Sequence, residues 1–563
     1  MGRRLDPGGA ALTTTAGLPP TATAAPPVRG ARPHDRRRVT PPRALWFGLL
    51  PLAFLGVFFA WPLVTVLARS VDPSALDVLT SAQTWRVAGF TAVQAVLSTA
   101  LTLLLGIPAA YVLHRMRIPG RRGLLALMTV PFVLPTIVVG AAFRALLPSG
   151  WTGTLAAILA AHVFFNLAVV IRVVGGLWAH LDPRQEEAAR TLGAGPVRVF
   201  RTVTWPLLRP AVLASAALVF LFTFTSFGVV LTLGGPTTAT LEVEIYRRTV
   251  QLFDLPGAAA LCLLQVLAVG LVLVVAAVLQ RRLSVRQRWA RADAVLHRPR
   301  TWGDRLLVLL VLLEAAYVVA PMVALAVRSL RVGDGWGLDW WAALTTAGPT
   351  TRDVAAWDSA RVSLTYALVT VVLAVVIGGA AASAIAYARR GSDALGSAVL
   401  LPLGTSAVTL GFGLLITFSR APVDLRGSAL IVPIGHALIA VPLVVATVLP
   451  VLRSVDPRLR EVAATLGAPP GRTWRTVDLP ALARALGIGA GFATAVSLGE
   501  FGATSFLARS DTPTLPVQIG ALLSRPGEAN AGQAAALAVV LVLVTAALVL
   551  ATERLRGRPS GGL

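Results

Sequence analysis

The stretch from Asp182 to Pro206 reads DPRQEEAARTLGAGPVRVFRTVTWP, and the stretch from Asp456 to Pro480 reads DPRLREVAATLGAPPGRTWRTVDLP. They align without a gap at an offset of 274, with 15 of 25 positions identical. The register continues on both sides. His162 falls on His436, Phe227-Gly228 on Phe501-Gly502, and Thr240-Leu241 on Thr514-Leu515. The chain is therefore two similar halves. In the first copy, Asp182 and Pro183 open a short helix as N-cap and first helical residue. Glu186 and Glu187 lie in its first turns, where the helix dipole favours acids. Ala188, Ala189 and Leu192 form a small apolar face, Gly193 is the natural stop, and Pro206 leads into the next apolar segment. The second copy repeats this with Pro457, Glu461, Ala463, Leu466, Gly467 and Pro480.

The surroundings of both copies are strongly apolar. Of 563 residues, 56% are hydrophobic and 13% charged, with a mean hydropathy of +0.74. Soluble domains carry about 25% charged residues. Twelve segments reach the roughly 20 apolar residues that a membrane helix needs. They run over about 45–68, 87–113, 123–147, 154–174, 207–232, 257–280, 305–327, 362–387, 395–418, 428–452, 481–507 and 533–552. Prolines and glycines inside them do not veto a membrane helix. The expected fold class is an all-α polytopic membrane protein, with about 12 transmembrane helices in two six-helix halves.

The charge is one-sided. Net charge is +24 and every one of the 50 basic residues is arginine. With the N-terminus inside, the inner segments hold 37 arginines and 12 acids, the outer ones 13 and 12. Such a bias orients a membrane protein with both termini cytoplasmic. It is not a nucleic-acid footprint. The absence of lysine excludes a Walker A phosphate loop and a Schiff-base lysine. A single cysteine, Cys262, excludes intrachain disulfides and multi-cysteine metal sites. No HExxH or GxSxG motif supports a membrane-embedded enzyme.

An even number of helices separates the two copies, so the repeat is parallel. Many ion-coupled secondary transporters, the alternative class, are built instead on inverted repeats. The expected organisation is a disordered cytoplasmic tail (1–43), a first half (44–280), a basic cytoplasmic linker (281–304), a second half (305–555) and a C-terminal tail (556–563).

The pattern Glu-[Ala/Val]-Ala, then glycine, then proline resembles the "EAA" loop of binding-protein-dependent ABC transporter permeases of the MetI-like kind. Glu187, Ala188, Ala189, Gly193 and Pro206 match, as do Glu461, Ala463, Gly467 and Pro480. Val462 and Trp205 depart from the pattern. The resemblance covers roughly residues 45–555 and implies a type I importer permease fold. It further implies that the loops couple to a separate cytoplasmic ABC ATPase dimer. An extracytoplasmic solute-binding protein would deliver the solute. The chain itself would be a non-enzymatic, multi-pass subunit of the bacterial cytoplasmic membrane, surrounded by lipid and binding no cofactor; ATP is used by the partner. Fusion of both halves is similar to the iron(III) and thiamine permeases. TLEVEIYRRTVQLFDLPGAAALCLLQ (240–265) looks most like the thiamine permease. Polyamine, sulfate and phosphonate permeases share much of the architecture.

Four residues are candidates for the translocation path. Glu500 lies within the predicted eleventh helix, where a carboxylate costs about 3 kcal/mol on insertion scales, and its counterpart is Ser226. A pathway role competes with an inter-helix hydrogen bond. His162 and His436 are equivalent, and a helix-packing bond is the favoured reading over a metal or proton site. No metal site is expected. Glu314, in the predicted seventh helix, reads as structural. Cys262 reads as a small apolar residue. Trp336, Trp340 and Trp341 in the outer loop 329–360 read as an interfacial anchor, with a binding-protein dock as the alternative.

Overall fold

The computed structural model describes residues 44–283, 296–346, 355–387, 391–420 and 423–555. The expected tails 1–43 and 556–563, and 284–295 of the expected linker, lie outside the described residues.

Among the described residues ten helices are long and apolar enough to cross a membrane. The first half contributes Gly48–Ser70, Ala82–Arg115, Leu155–Trp178, Pro196–Phe224 and Leu255–Arg281. The second contributes Trp302–Leu330, Ala356–Tyr387, Ile431–Ser454, Pro470–Gly499 and Glu528–Leu548. The shortest has 21 residues, or about 31 Å at 1.5 Å per residue, close to the hydrocarbon thickness.

The other two predicted spans are not straight helices. The third is Arg121–Val133 followed by Thr136–Leu146, bent by 107°, and the ninth is Ser392–Gly404 followed by Ala407–Thr417, bent by 97°. In the first bend, Pro135 pushes Leu134 out of the helical region, to φ −73° and ψ 140°. In the second, Ser406 caps the outgoing limb by accepting from the Thr409 N–H at 3.1 Å. Pro131 and Pro402 occupy the same place in the two bends. Their separation of 271 shows that the repeat register slips by three residues here.

Two further boundaries differ from expectation. The fifth and eleventh spans begin about ten residues early, at Pro196 and Pro470, and end early, at Phe224 and Gly499. Each passes through a π-helical turn, Phe200–Thr204 or Trp474–Asp478, just before Pro206 or Pro480. A π-turn re-routes the i→i−4 ladder where proline supplies no donor, so both prolines sit inside continuous spans. After Phe224 and Gly499 the chain breaks into short helices, Gly228–Leu233 and Leu241–Tyr246 in one half and Thr504–Leu507 and Leu515–Ser524 in the other.

In each half the second, fourth and fifth spans pack on one another. The first span of each half is exchanged. Span 1 lies along span 8, Ala356–Tyr387, while span 7, Trp302–Leu330, packs on the outgoing limb of span 3. The halves are thus interlocked, and the short helices after spans 5 and 11 are trapped between them.

Candidate functional site

Both repeated loops form the predicted helix and turn. Pro183–Thr191 is capped by Asp182, whose carboxylate accepts from the Arg184 N–H at 3.0 Å; Pro457–Thr465 is capped by Asp456 through Arg458 at 2.9 Å. Gly193 and Gly467 take φ of +81° and +76°. The Ala194 N–H donates to Ala189 O at 3.1 Å, and Ala468 to Ala463 at 3.0 Å. These six-to-one bonds, with left-handed glycine at C′, define a Schellman stop. The turn aims one apolar side chain outward in each copy. Leu192 is 88% exposed and its counterpart Leu466 81%. Glu187 and Glu461 are exposed beside them.

The loops are tied to the membrane helices by unlike means. In the first half, Glu186 accepts from Arg115 at 2.9 Å and from the Thr204 hydroxyl at 2.8 Å. The counterparts of Glu186 and Thr204 are Arg460 and Asp478. There the polarity is reversed: Arg460 donates to Asp478 through Nη2 at 2.6 Å and Nε at 3.0 Å. The hydrogen bond to Asp478 holds the Arg460 guanidinium above its ordinary pKa. Arg460 also lies 5.5 Å from the Tyr387 ring centroid. Both tethers pin the loop helix to the base of the following span.

The seam between the halves is the second feature. Phe227 and Phe501 stack on each other with centroids 5.2 Å apart, and Tyr246 packs 5.4 Å from Phe227. Gly140 and Gly411, equivalent at offset 271, press against the short helices; a Cβ on Gly140 would lie 1.8 Å from Thr232 Oγ1, and one on Gly411 2.6 Å from Ala503 Cα. Only glycine permits that approach.

The comparisons with known proteins agree with this architecture. The profile of the binding-protein-dependent transport system inner membrane component matches residues 102–289. The thiamine transport system permease protein ThiP of Escherichia coli K12 is 30% identical over 505 residues, spanning 84% of this chain and 89% of that protein. The chain belongs to this permease family. ThiP of Brucella abortus strain 2308 is 28% identical over 90% of this chain and 94% of its own length. The sulfate permease CysT of Salmonella typhimurium LT2 is 33% identical over 40% of this chain and 87% of its own. A crystal structure of a bacterial ABC transporter that imports alginate aligns over 43% of this chain and 96% of its own, at 17% identity and a TM-score of 0.38.

Within the permease, the predicted site residues fall as follows. Glu500 is not inside the eleventh helix but immediately after its last residue, Gly499. Its carboxylate accepts from the Ala503 N–H at 2.8 Å, from the Thr504 N–H at 2.9 Å and closely from the Thr504 hydroxyl. His436 Nε2 lies 3.5 Å away. His436 also bonds Ser497 at 2.8 Å and Thr504 at 2.7 Å. In the first half, His162 bonds Ser98 at 3.0 Å and Ser226, the counterpart of Glu500, at 2.8 Å. Each histidine therefore joins its fourth span to the break after the fifth, within its own half. Among the described residues no group of three or more His, Cys, Asp or Glu is placed to hold a metal.

Counting acids by segment missed three of them. Glu242 and Glu244, assigned to an outer loop, are 1% and 5% exposed on the short helix Leu241–Tyr246. Glu244 pairs with Arg248 at 3.2 Å. Among the described residues five acids, not two, are buried in or between the spans: Glu242, Glu244, Glu314, Glu500 and, at the base of span 11, Asp478. Period-based reading finds helices that span, and a six-residue helix folded back between halves has no such signal. Glu314 borders a lateral cavity of about 470 Å³ with Tyr317 and Leu101. Trp340 and Trp341 donate to Arg331 O at 2.6 Å and Ser329 O at 3.1 Å, so both indoles close the end of span 7.

Proposed function

We propose that this permease is the fused transmembrane subunit of an ATP-driven thiamine importer. The single observation that carries the coupling is the twin loop helix, with a left-handed glycine stop and an outward leucine in both copies. An exposed leucine on a capped, tethered helix suits an amphipathic helix entering a groove on a partner. Two such helices suit a partner with two equal grooves, an ABC ATPase dimer. The loops, both termini and the arginine-rich face are cytoplasmic in this reading, as the arginine bias requires. ATP-driven closure of the ATPase dimer would draw the loops together and rock the interlocked halves about the seam. An extracytoplasmic binding protein would present the solute at the opposite face. Specificity follows the relatives, thiamine permeases aligned along most of this chain, and thiamine has that support over iron(III).

His162, His436, Ser226 and Glu500 act in this reading by shaping the breaks that line the seam. The test is reconstitution in liposomes with an ABC ATPase and a thiamine-binding protein from the same organism. Labelled thiamine should enter only with internal ATP and with binding protein outside. Uptake driven by an ion gradient without ATP would establish the secondary-transporter alternative instead.

A further inference from the structure

We infer that Glu242 and Gln265 of the first half, with Ser406 and Thr409 of the second, form one off-axis station for an organic cation on the translocation path. The inference rests on the importer reading above. Glu242 lies on the short helix Leu241–Tyr246, Gln265 on span 6, Thr409 on the outgoing limb of span 9, and Ser406 caps that limb. The Gln265 amide donates closely to Glu242 Oε1. The Ser406 side chain lies beside the same carboxylate, and Ser406 accepts from the Thr409 N–H at 3.1 Å. Glu242 and Gln265 are each 1% exposed. Among the described residues, Glu242 Oε2 and Gln265 Oε1 have no hydrogen-bond partner. Two buried acceptors therefore lie on adjoining side chains, with the Gln265 amide and the Ser406 hydroxyl as the donors beside the carboxylate. A buried carboxylate so placed calls for a positive charge, and the amide oxygen calls for an N–H.

The repeat supplies an internal control. The counterpart of Glu242 is Pro516 at offset 274, that of Gln265 is Leu541 at offset 276, where Ala258–Leu261 falls on Ala534–Leu537, and those of Ser406 and Thr409 are Pro135 and Val138 at offset 271. All four polar residues face apolar equivalents, so the fold packs this position without them. The polar set is a property of one side only. It is also beside the axis, since Tyr246, one turn along the same helix, packs on Phe227 of the central stack. Because both halves contribute, parting the halves exposes it. A cation carrying an amino group matches both acceptors, and thiamine has a charged thiazolium and an aminopyrimidine.

Cys262, the only cysteine of the chain, supplies the probe. It is buried on span 6 with Thr409 and Glu242 beside its thiol. The assembled transporter, with ATPase and loaded binding protein, is treated during ATP turnover with a cationic (trimethylammonium-ethyl) or an anionic (sulfonatoethyl) methanethiosulfonate. The Cys262 thiolate attacks the thiosulfonate sulfur, forming a mixed disulfide and releasing methanesulfinate. Rates are read by mass on this chain and normalised to a free thiol. The cationic reagent should react about ten-fold faster, as a focused negative charge dictates, and excess thiamine should slow it. Glu242→Gln should bring the ratio to unity and lower thiamine uptake. Gln265→Leu should keep the charge preference and lose thiamine protection, and it serves if Glu242→Gln does not assemble. Equal normalised rates in the wild type, or Cys262 unlabelled during turnover, overturn the inference. Absence of wild-type thiamine uptake with the charge preference intact would instead sink the substrate assignment alone.

Discussion

Phe227 stacks on Phe501 across the seam, with ring planes 23° apart, and each is the other's counterpart in the repeat. Two copies of one position meet on the pseudo-two-fold axis. Any rocking of the halves that opens a central path must part these rings. Such a pair is worth about 1 kcal/mol beyond its burial. Phe501→Ala should therefore favour the parted state and raise basal ATPase of the assembled transporter about five-fold, by the conversion of that energy. Basal ATPase equal to wild type would show that the stack is not part of the closed gate.

Gly193 and Gly467 have open space where a Cβ would stand. A side chain there meets no neighbour, and its cost is the left-handed backbone, about 1–2 kcal/mol per residue. The double variant Gly193→Val, Gly467→Val should loosen both loop turns while leaving the membrane helices packed. Co-purification of the ATPase should fall at least about ten-fold, as that energy implies, with the thermal midpoint of the permease alone close to wild type. Full retention of the ATPase would contradict the docking role.

Asp478 is 3% exposed and pairs with Arg460. Removing the carboxylate leaves a partly buried guanidinium without its partner. For a fully buried pair such a loss costs about 3–5 kcal/mol, and the partial exposure of Arg460 reduces it. Asp478→Leu should thus impair coupling more than Thr204→Val at the equivalent place. Measuring uptake and ATPase together checks this. The joint change Arg460→Met, Asp478→Leu should recover part of the loss, since no unpaired charge remains.

Glu500 accepts three hydrogen bonds that order the break after span 11. Glu500→Gln replaces one acceptor oxygen by a donor that faces N–H groups, at a cost of about 1–3 kcal/mol. Uptake should fall and the thermal midpoint should drop, while the ATPase still co-purifies. Unchanged uptake and stability would remove Glu500 from the machinery of the seam. Ser226→Ala should cost less, because it removes one neutral bond to His162.

Much of this permease is legible along the chain. Twelve apolar segments, the arginine bias and the gap-free loop repeat are local quantities, set by helix length, hydropathy and spacing. The glycine stops are legible too, because a Schellman turn needs its glycine within a few residues of the cap. The bends at Leu134 and Thr405 were less so. Membrane helices tolerate proline when neighbours satisfy the backbone, so Pro131 and Pro135 alone do not tell a kink from a break.

What the sequence by itself determined is the membrane class, the two parallel halves and the place of the two repeated loops, since each depends on residues close together in the chain. Tertiary structure alone decided which residues meet. Glu186 and Arg460 occupy one repeat position yet carry opposite charge, and only the folded chain shows that Thr204 and Asp478 compensate. Glu242 reads as an outer-loop acid until span 9 of the other half is laid beside it. Burial and pairing are properties of contacts between distant segments, and an offset of 274 carries no record of them.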